Sequence, residues 1–134
     1  MSDTEACSCG AAESTVVLAC SGSSNVGQIT NNLALALTRQ GLGHMSCLAG
    51  VGAHLSGFVV SAKDCDRLIV LDGCPQNCAL EIVEHVGITP GIHLTLTEHG
   101  FKKSHDEPAS QADVARAQGL LLPMMKGREC STSS

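Results

Sequence analysis

Four cysteines with regular spacing carry the clearest chemical signal in the sequence. They are Cys20, Cys47, Cys74 and Cys78. Their intervals are 27, 27 and 4 residues, and each lies at or just past the end of an apolar run typical of a β-strand. Because a strand, a helix and their loops take about 30 residues, a 27-residue step reaches the same place in successive βα units. In a parallel sheet that place is the carboxyl edge, where open α/β folds bind ligands, so we predict that the four thiols converge there.

The chemistry that four thiols favour is soft-metal binding. Such ligands select Zn²⁺, with Cu(I) or an iron–sulfur centre as less favoured alternatives. Cys74 and Cys78 are separated by three residues, within the roughly two to four that zinc sites use. A helix that begins at Pro75 would put Cys74 at its cap and Cys78 on the same face one turn later, where the helix N-terminus favours thiolates.

Two other interpretations of these thiols remain open. The first is a thiol-redox enzyme in which Cys74 is the nucleophile and Cys78 or Cys20 resolves a disulfide. The second is that the cysteines are small buried hydrophobic residues without chemistry. The sequence does not decide whether the protein is an enzyme.

Composition narrows the class of protein. The chain has 134 residues, of which 43% are hydrophobic, and its aromatic residues are Phe58 and Phe101 alone. The scarcity of aromatic residues and the net charge of −5 argue against a nucleic-acid partner. No apolar stretch reaches the roughly 20 residues that span a membrane, and residues 1–14 lack the features of a secretion signal. We therefore expect a cytoplasmic protein without a membrane partner, in which eight cysteines indicate metal or thiol chemistry instead of disulfides.

The elements that must position the cysteines alternate along the chain. Hydrophobic periodicity predicts strands over residues 15–20, 44–49, 67–72 and 91–97, and helices over 28–40, 54–64, 75–86 and 110–126. This alternation predicts a three-layer α/β fold with a doubly wound, mostly parallel sheet of flavodoxin-like or Rossmann-like type. We place a single domain at 15–126, between a disordered N-terminal tail, 1–14, and a C-terminal tail, 127–134.

Other polar residues give weaker signals. The loop that Cys20 opens lacks the lysine or arginine that phosphate binding requires, which disfavours nucleotide and flavin cofactors. Asp72, at a strand end, fits a base, an acceptor behind the site or a helix cap. Cys65 precedes a strand and is expected at the opposite edge of the sheet. The residues interpreted as tail, surface or structural positions are Cys7, Cys9, Cys130, His93, Lys102 and Lys103.

Four segments, in this order, resemble the DGC-domain proteins. They are CSGSSNVGQ, CLAGVGAHLSGFV, VLDGCPQNCA and HLTLTEHGFKK, within residues 15–104. This family consists of small prokaryotic proteins named for an Asp-Gly-Cys motif and ascribed a zinc-binding role. The resemblance implies that Cys20, Cys47, Cys74 and Cys78 match the family's four chelating cysteines, in a structural or metal-handling role. The resemblance implies that the protein binds a metal ion. It indicates no reaction and no protein partner, and it is compatible with a homodimer.

Overall fold

Four parallel strands form the sheet of this protein. The computed structural model describes residues 14–126. The strands are β1 Thr15–Ala19, β2 His44–Met45, β3 Arg67–Asp72 and β4 Ile92–Thr95. Within these residues their order is β2-β1-β3-β4 and every pairing is parallel. This order is the leading part of the flavodoxin-like order, and it confirms the predicted α/β class.

Helices cover both faces of the sheet and make three layers. They are α1 Asn25–Arg39, α2 Leu48–Gly52, α3 Ser56–Asp64, α4 Cys78–His85 and α5 Gln111–Lys126, with a 3₁₀ turn at Leu96–His99. Helices α1 and α5 pack together on one face, whereas α2, α3 and α4 supply the core of the other. The chain therefore changes faces between the first crossover and the later ones. That change creates the crevice at the carboxyl ends of β1 and β3 where such folds bind ligands.

The two central strands are buried on both faces. Val17 and Leu71 belong to the aliphatic cluster with α1 and α5, whereas Leu18 and Val70 belong to the cluster on the opposite face. This two-sided burial explains why both strands are continuous apolar runs without a polar face. The central pair thus gives the carboxyl edge a rigid base.

Two predicted boundaries beside the cysteines are wrong. Strand β2 ends at Met45, and Cys47 is the N-cap of α2 instead of part of a strand. Helix α4 begins at Cys78, three residues later than the predicted start at Pro75. Residues 73–77 instead form a turn in which Asn77 N–H donates to the Cys74 carbonyl and Asn77 adopts the left-handed conformation, φ 50°. Cys74 and Cys78 therefore do not share a helical face.

The fourth strand is shorter than predicted. It ends at Thr95, after which the chain forms the 3₁₀ turn. Thr95 is buried, and its hydroxyl donates to Asn77 Oδ1 at 2.8 Å. The turn before α4 therefore contacts the end of β4.

The predicted tails and domain limits stay predictions. Cys7, Cys9 and Cys130, with segments 1–13 and 127–134, lie outside the described residues. No helix between residues 14 and 126 is both long and apolar enough to cross a bilayer.

The glycine after β3 permits a close approach of two chain segments. A Cβ at Gly73 would lie 2.8 Å from the backbone carbonyl carbon of Val26 and 2.9 Å from its Cβ. Val26 is fully buried near the start of α1. The sequence Asp72-Gly73-Cys74 therefore passes against α1 only because residue 73 has no side chain.

We expect Gly73→Ala to lower the free energy of unfolding by about 1–3 kcal/mol, the usual cost of overpacking. The matched control is Gly57→Ala in exposed α3, where a Cβ meets nothing within 4 Å and alanine should stabilise the helix by about 0.5–1 kcal/mol. Urea denaturation of both variants measures the difference. Equal stability of the two would contradict the close-approach argument.

Candidate functional site

All four predicted site cysteines lie at the carboxyl edge of the sheet. Cys20 follows β1, Cys47 lies two residues after β2, Cys74 lies two residues after β3, and Cys78 is the first residue of α4. Cys65 caps the end of α3 immediately before β3, so it lies at the opposite edge. All four residues thus lie at the edge of the sheet that the βα period predicts, and their convergence on one site stays a prediction.

A cavity of about 260 Å³ opens at this edge, and we name it the edge cavity. Cys20 and Cys78 line it, together with Leu48, Gly73 and the loop that leads into α1. Cys47 directly precedes Leu48, and Cys74 directly follows Gly73. Each of the four cysteines therefore lines the edge cavity or adjoins a residue that does.

The Cys20 sulfur continues the hydrogen bonding of the central strands. Cys20 N–H donates to the Leu71 carbonyl at 3.0 Å, and Gly73 N–H donates to Cys20 Sγ at 3.3 Å. Thr30 Oγ1 lies 3.2 Å from the same sulfur. Burial raises the pKa of the Cys20 thiol, and its contacts with Thr30 and Gly73 oppose that shift.

The sulfurs of Cys47 and Cys74 have different partners. Cys47 is exposed, and its Sγ accepts a hydrogen bond from Gly50 N–H at 3.3 Å, which caps α2. Cys74 is half-buried against the cluster of α1 and α5, and Lys103 Nζ donates to its Sγ at 3.6 Å. Between residues 14 and 126, no group of three or more His, Cys, Asp or Glu side chains is arranged to hold a metal. Cys47 and Cys74 are thus turned to other partners, and the four thiols do not come together as one group among the described residues.

Asp72 organises the start of α4. Its side chain is 1% exposed and accepts hydrogen bonds from Ala79 N–H at 2.8 Å and Leu80 N–H at 3.1 Å. These are the second and third residues of the helix, whose N–H groups an N-cap normally satisfies. His93 Nε2 lies 2.8 Å from Asp72 Oδ2, the oxygen that also accepts from Leu80 N–H. Among the roles left open for Asp72, the structure gives it that of a helix cap held by a histidine.

A loop after the 3₁₀ turn is fastened across the edge, and we name residues 101–106 the strap. Asn25, the first residue of α1, makes three hydrogen bonds to it. Its side chain accepts from Ser104 N–H at 2.6 Å and donates to the Lys102 carbonyl at 2.9 Å, and its N–H donates to the Ser104 carbonyl at 2.8 Å. Buried Phe101 begins the strap, with the Arg116 guanidinium 3.8 Å from its ring centroid. The strap therefore has a fixed position at the edge.

Sequence reasoning missed the role of the strap. The prediction that Lys102 and Lys103 are surface residues omits the contact between the Lys103 ammonium and Cys74. No sequence pattern points to Asn25. These contacts join residues 29 or more positions apart, and no local pattern encodes such a distance.

We expect Asp72→Ala to lower the free energy of unfolding by about 2–3 kcal/mol, since it leaves the donors of α4 and His93 without a charged acceptor. The control is Asp64→Ala at the exposed end of α3, which should change stability by less than about 0.5 kcal/mol. Urea denaturation gives the stability of each variant. Hydrogen exchange should show faster opening at residues 78–80 in the first variant only, and unchanged exchange there would refute the capping role.

Comparison with known proteins gives a family match over the part of the chain that contains the four DGC-like segments. The model of the DGC domain matches residues 16–119. The chain is 44% identical over 117 residues to the anaerobic and virulence modulator AnvM of Pseudomonas aeruginosa, with 84% of this chain and 89% of that protein covered. No solved structure matches the chain significantly. On the family match and the extent of this identity, the chain belongs to the DGC-domain family.

Proposed function

We propose that the protein binds one soft metal ion, Zn²⁺ in preference to Cu(I) or an iron–sulfur centre, at the carboxyl edge of its sheet. The ligands in this proposal are Cys20, Cys47, Cys74 and Cys78. The observation that supports it is the edge cavity, which Cys20 and Cys78 line, while Cys47 and Cys74 are the chain neighbours of its lining residues Leu48 and Gly73. Thiolates are the ligands that favour these metals over hard cations.

Binding in this way requires two side chains to change partners. Cys47 would leave Gly50 N–H, and Cys74 would leave Lys103 Nζ, contacts of 3.3 and 3.6 Å. Sulfur is a weak hydrogen-bond acceptor, so losing these two hydrogen bonds costs little. Cys74 would also leave its packing against the cluster of α1 and α5, so the proposal includes a rearrangement of the turn that carries it.

The role we propose is structural or metal-handling. Four thiolates close a tetrahedral zinc site and leave no position for a water nucleophile. The relative from Pseudomonas aeruginosa is named a modulator, and a closed metal site suits a modulator better than it suits a hydrolase. We place this function in the cytoplasm, where thiols stay reduced and able to bind metal.

A thiol-redox function is the second candidate, and one contact favours it. The Lys103 ammonium beside Cys74 is the kind of neighbour that activates a cysteine nucleophile. In this step the Cys74 thiolate would attack a substrate disulfide and release one substrate thiol. Cys78 or Cys20, which both line the edge cavity, would then attack the mixed disulfide, forming a disulfide with Cys74 and releasing the second substrate thiol. Metal analysis and thiol counting on anaerobically purified protein separate the two functions. Near-stoichiometric metal with four protected thiols supports metal binding. Metal-free protein with a reducible disulfide supports the thiol-redox function.

Cysteine variants test the ligand set. We expect Cys74→Ser and Cys78→Ser each to abolish tight metal retention, because both remove a ligand at the carboxyl edge. Cys65→Ser, at the opposite edge, and Cys130→Ser are the controls and should retain the metal. Metal content after gel filtration against a competing chelator gives the answer. Equal metal loss from Cys65→Ser would exclude this ligand set.

Metal removal tests how far the fold depends on the site. An ion that binds only the native state stabilises it by about 2.7 kcal/mol when the free ion concentration is 100 times the dissociation constant. We therefore expect chelation to lower the melting temperature yet leave a folded domain, because the aliphatic core covers both faces of β1 and β3. Circular dichroism should keep its helical signal, and hydrogen exchange should rise at residues 20–27 and 47–54. Complete unfolding would show instead that the fold requires the metal.

A further inference from the structure

We propose that Cys20 and Cys78 form a dithiol–disulfide pair across the edge cavity, which exchanges with small disulfides that have neutral arms. The inference rests on the second candidate, the thiol-redox function, and assigns to it a pair that does not include Cys74. It requires no bound metal. Two observations carry it, namely which sulfurs reach the cavity and against which face of the sheet each sulfur packs.

The edge cavity brings together two thiols that are 58 residues apart in the chain. Cys20 reaches it from the end of β1 and Cys78 from the first residue of α4, and no other cysteine within residues 14–126 lines it. Burial is the largest cause that raises the pKa of the Cys20 thiol, and the charges of Asp72 and Cys78 contribute less in the same direction. Cys78 is therefore near enough for its charge to act on Cys20.

Packing at the sheet edge separates Cys74 from this pair. Cys20 packs against the aliphatic cluster to which α4 contributes Ala79 and Val83, whereas Cys74 packs against the cluster of α1 and α5 on the opposite face. Cys78 begins α4 and shares the cavity with Cys20. A disulfide between Cys20 and Cys78 thus links β1 to α4 on one side of the edge, and Cys74 keeps its place in the other cluster.

Exposure indicates the order in which the two thiols react. Cys78 is exposed, whereas Cys20 is half-buried, accepts from Gly73 N–H at 3.3 Å and lies 3.2 Å from Thr30 Oγ1. An incoming disulfide therefore meets Cys78 first, and the contacts of Cys20 hold it in position to react second. An accessible thiol beside a second thiol that resolves the mixed disulfide is the arrangement that reversible thiol oxidation uses.

The substrate disulfide is the oxidant of the exchange. The Cys78 thiolate attacks one substrate sulfur, so that a bond between these two sulfurs forms and the other substrate thiolate leaves. The Cys20 thiolate then attacks the Cys78 sulfur, which closes the Cys20–Cys78 disulfide and releases the second substrate thiolate. Two protein thiols are oxidised, one substrate disulfide is reduced, and the protons of the protein thiols go to the two released thiols.

The lining of the edge cavity indicates the substrate class. Besides the two cysteines it consists of glycine, serine, valine and leucine, with no charged side chain among the described residues. This lining offers no cation to a carboxylate, and the nearby Asp72 carboxylate would repel one. Neutral arms are therefore favoured over the acidic arms of a disulfide such as oxidised glutathione.

The test uses the full chain, kept anaerobic with a chelator, and hydroxyethyl disulfide as the neutral probe. After incubation the free thiols are alkylated, and the disulfides are mapped by mass spectrometry of the digested protein. We expect a Cys20–Cys78 disulfide in the wild type and in the control Cys65→Ser, which removes a thiol at the opposite edge. Cys74→Ser should form the same disulfide, whereas a reaction that begins at Cys74 would lose it.

Two further variants test the order of attack. Cys20→Ser should stop the reaction at a mixed disulfide between Cys78 and the probe, because the thiol that resolves it is missing. Cys78→Ser should leave the half-buried Cys20 as a free thiol. Circular dichroism and melting temperature establish that the variants are folded. Because Cys78 is exposed, Cys78→Ser keeps the test decisive even where Cys20→Ser disturbs the fold.

The outcomes distinguish the pair from the function on which it rests. A disulfide that joins Cys74 to Cys20 or Cys78 would refute the pair while the thiol-redox function stands, and thiols that stay unreacted would refute both. Faster oxidation by oxidised glutathione than by the neutral probe, each rate divided by that of the same disulfide with N-acetylcysteine, would overturn the substrate class. Zinc binding does not enter the result, because the chelator is present throughout.

Discussion

The arrangement of the carboxyl edge depends on the buried carboxylate of Asp72. Asp72 ends β3, yet it caps α4 across a five-residue turn and accepts from His93 on the neighbouring strand. One side chain therefore links the end of the central strand, the start of the helix that carries Cys78, and a side chain of β4. Burying a carboxylate is costly unless its lone pairs are satisfied, and here three donors satisfy them. Because those donors come from two different elements, the edge is held as one unit.

The strap gives the edge its second point of attachment. Asn25 stands at the first position of α1, and its three hydrogen bonds hold a segment almost 80 residues later in the chain. The loop that opens with Cys20 leads into the same helix. A shift of α1 would thus move a thiol, the strap and Lys103 together. Since Gly73 packs directly against Val26, α1 also sets how closely the β3 turn can approach.

The sequence predicted the periodic features of this molecule and missed the long-range ones. The apolar run of β3 predicts a strand buried on two faces, and the 27-residue spacing predicts the edge at which the cysteines lie. Both can be predicted because each depends on a pattern of residue types and spacings along the chain. The predicted start of α4 at Pro75 is wrong, because Asp72 caps the helix at Ala79 and Leu80 across the turn at residues 73–77. The short β2 was extended too far because Cys47 looks like a strand residue until its sulfur is seen to cap α2. Lys103 beside Cys74 could not be predicted, because their proximity arises only when the strap docks on α1.

The Cys20 sulfur accepts the last hydrogen bond between β1 and β3. Cys20 N–H donates to the Leu71 carbonyl, and in a regular parallel ladder Gly73 N–H would next donate to the Cys20 carbonyl. Here Gly73 N–H donates to the Cys20 sulfur instead. The Cys20 carbonyl is taken instead by the Thr30 hydroxyl, at 2.8 Å. Whatever binds or modifies this sulfur therefore alters the final hydrogen bond between the two central strands. A chemical change at the Cys20 sulfur is thus coupled to the pairing of β1 and β3 at the carboxyl edge.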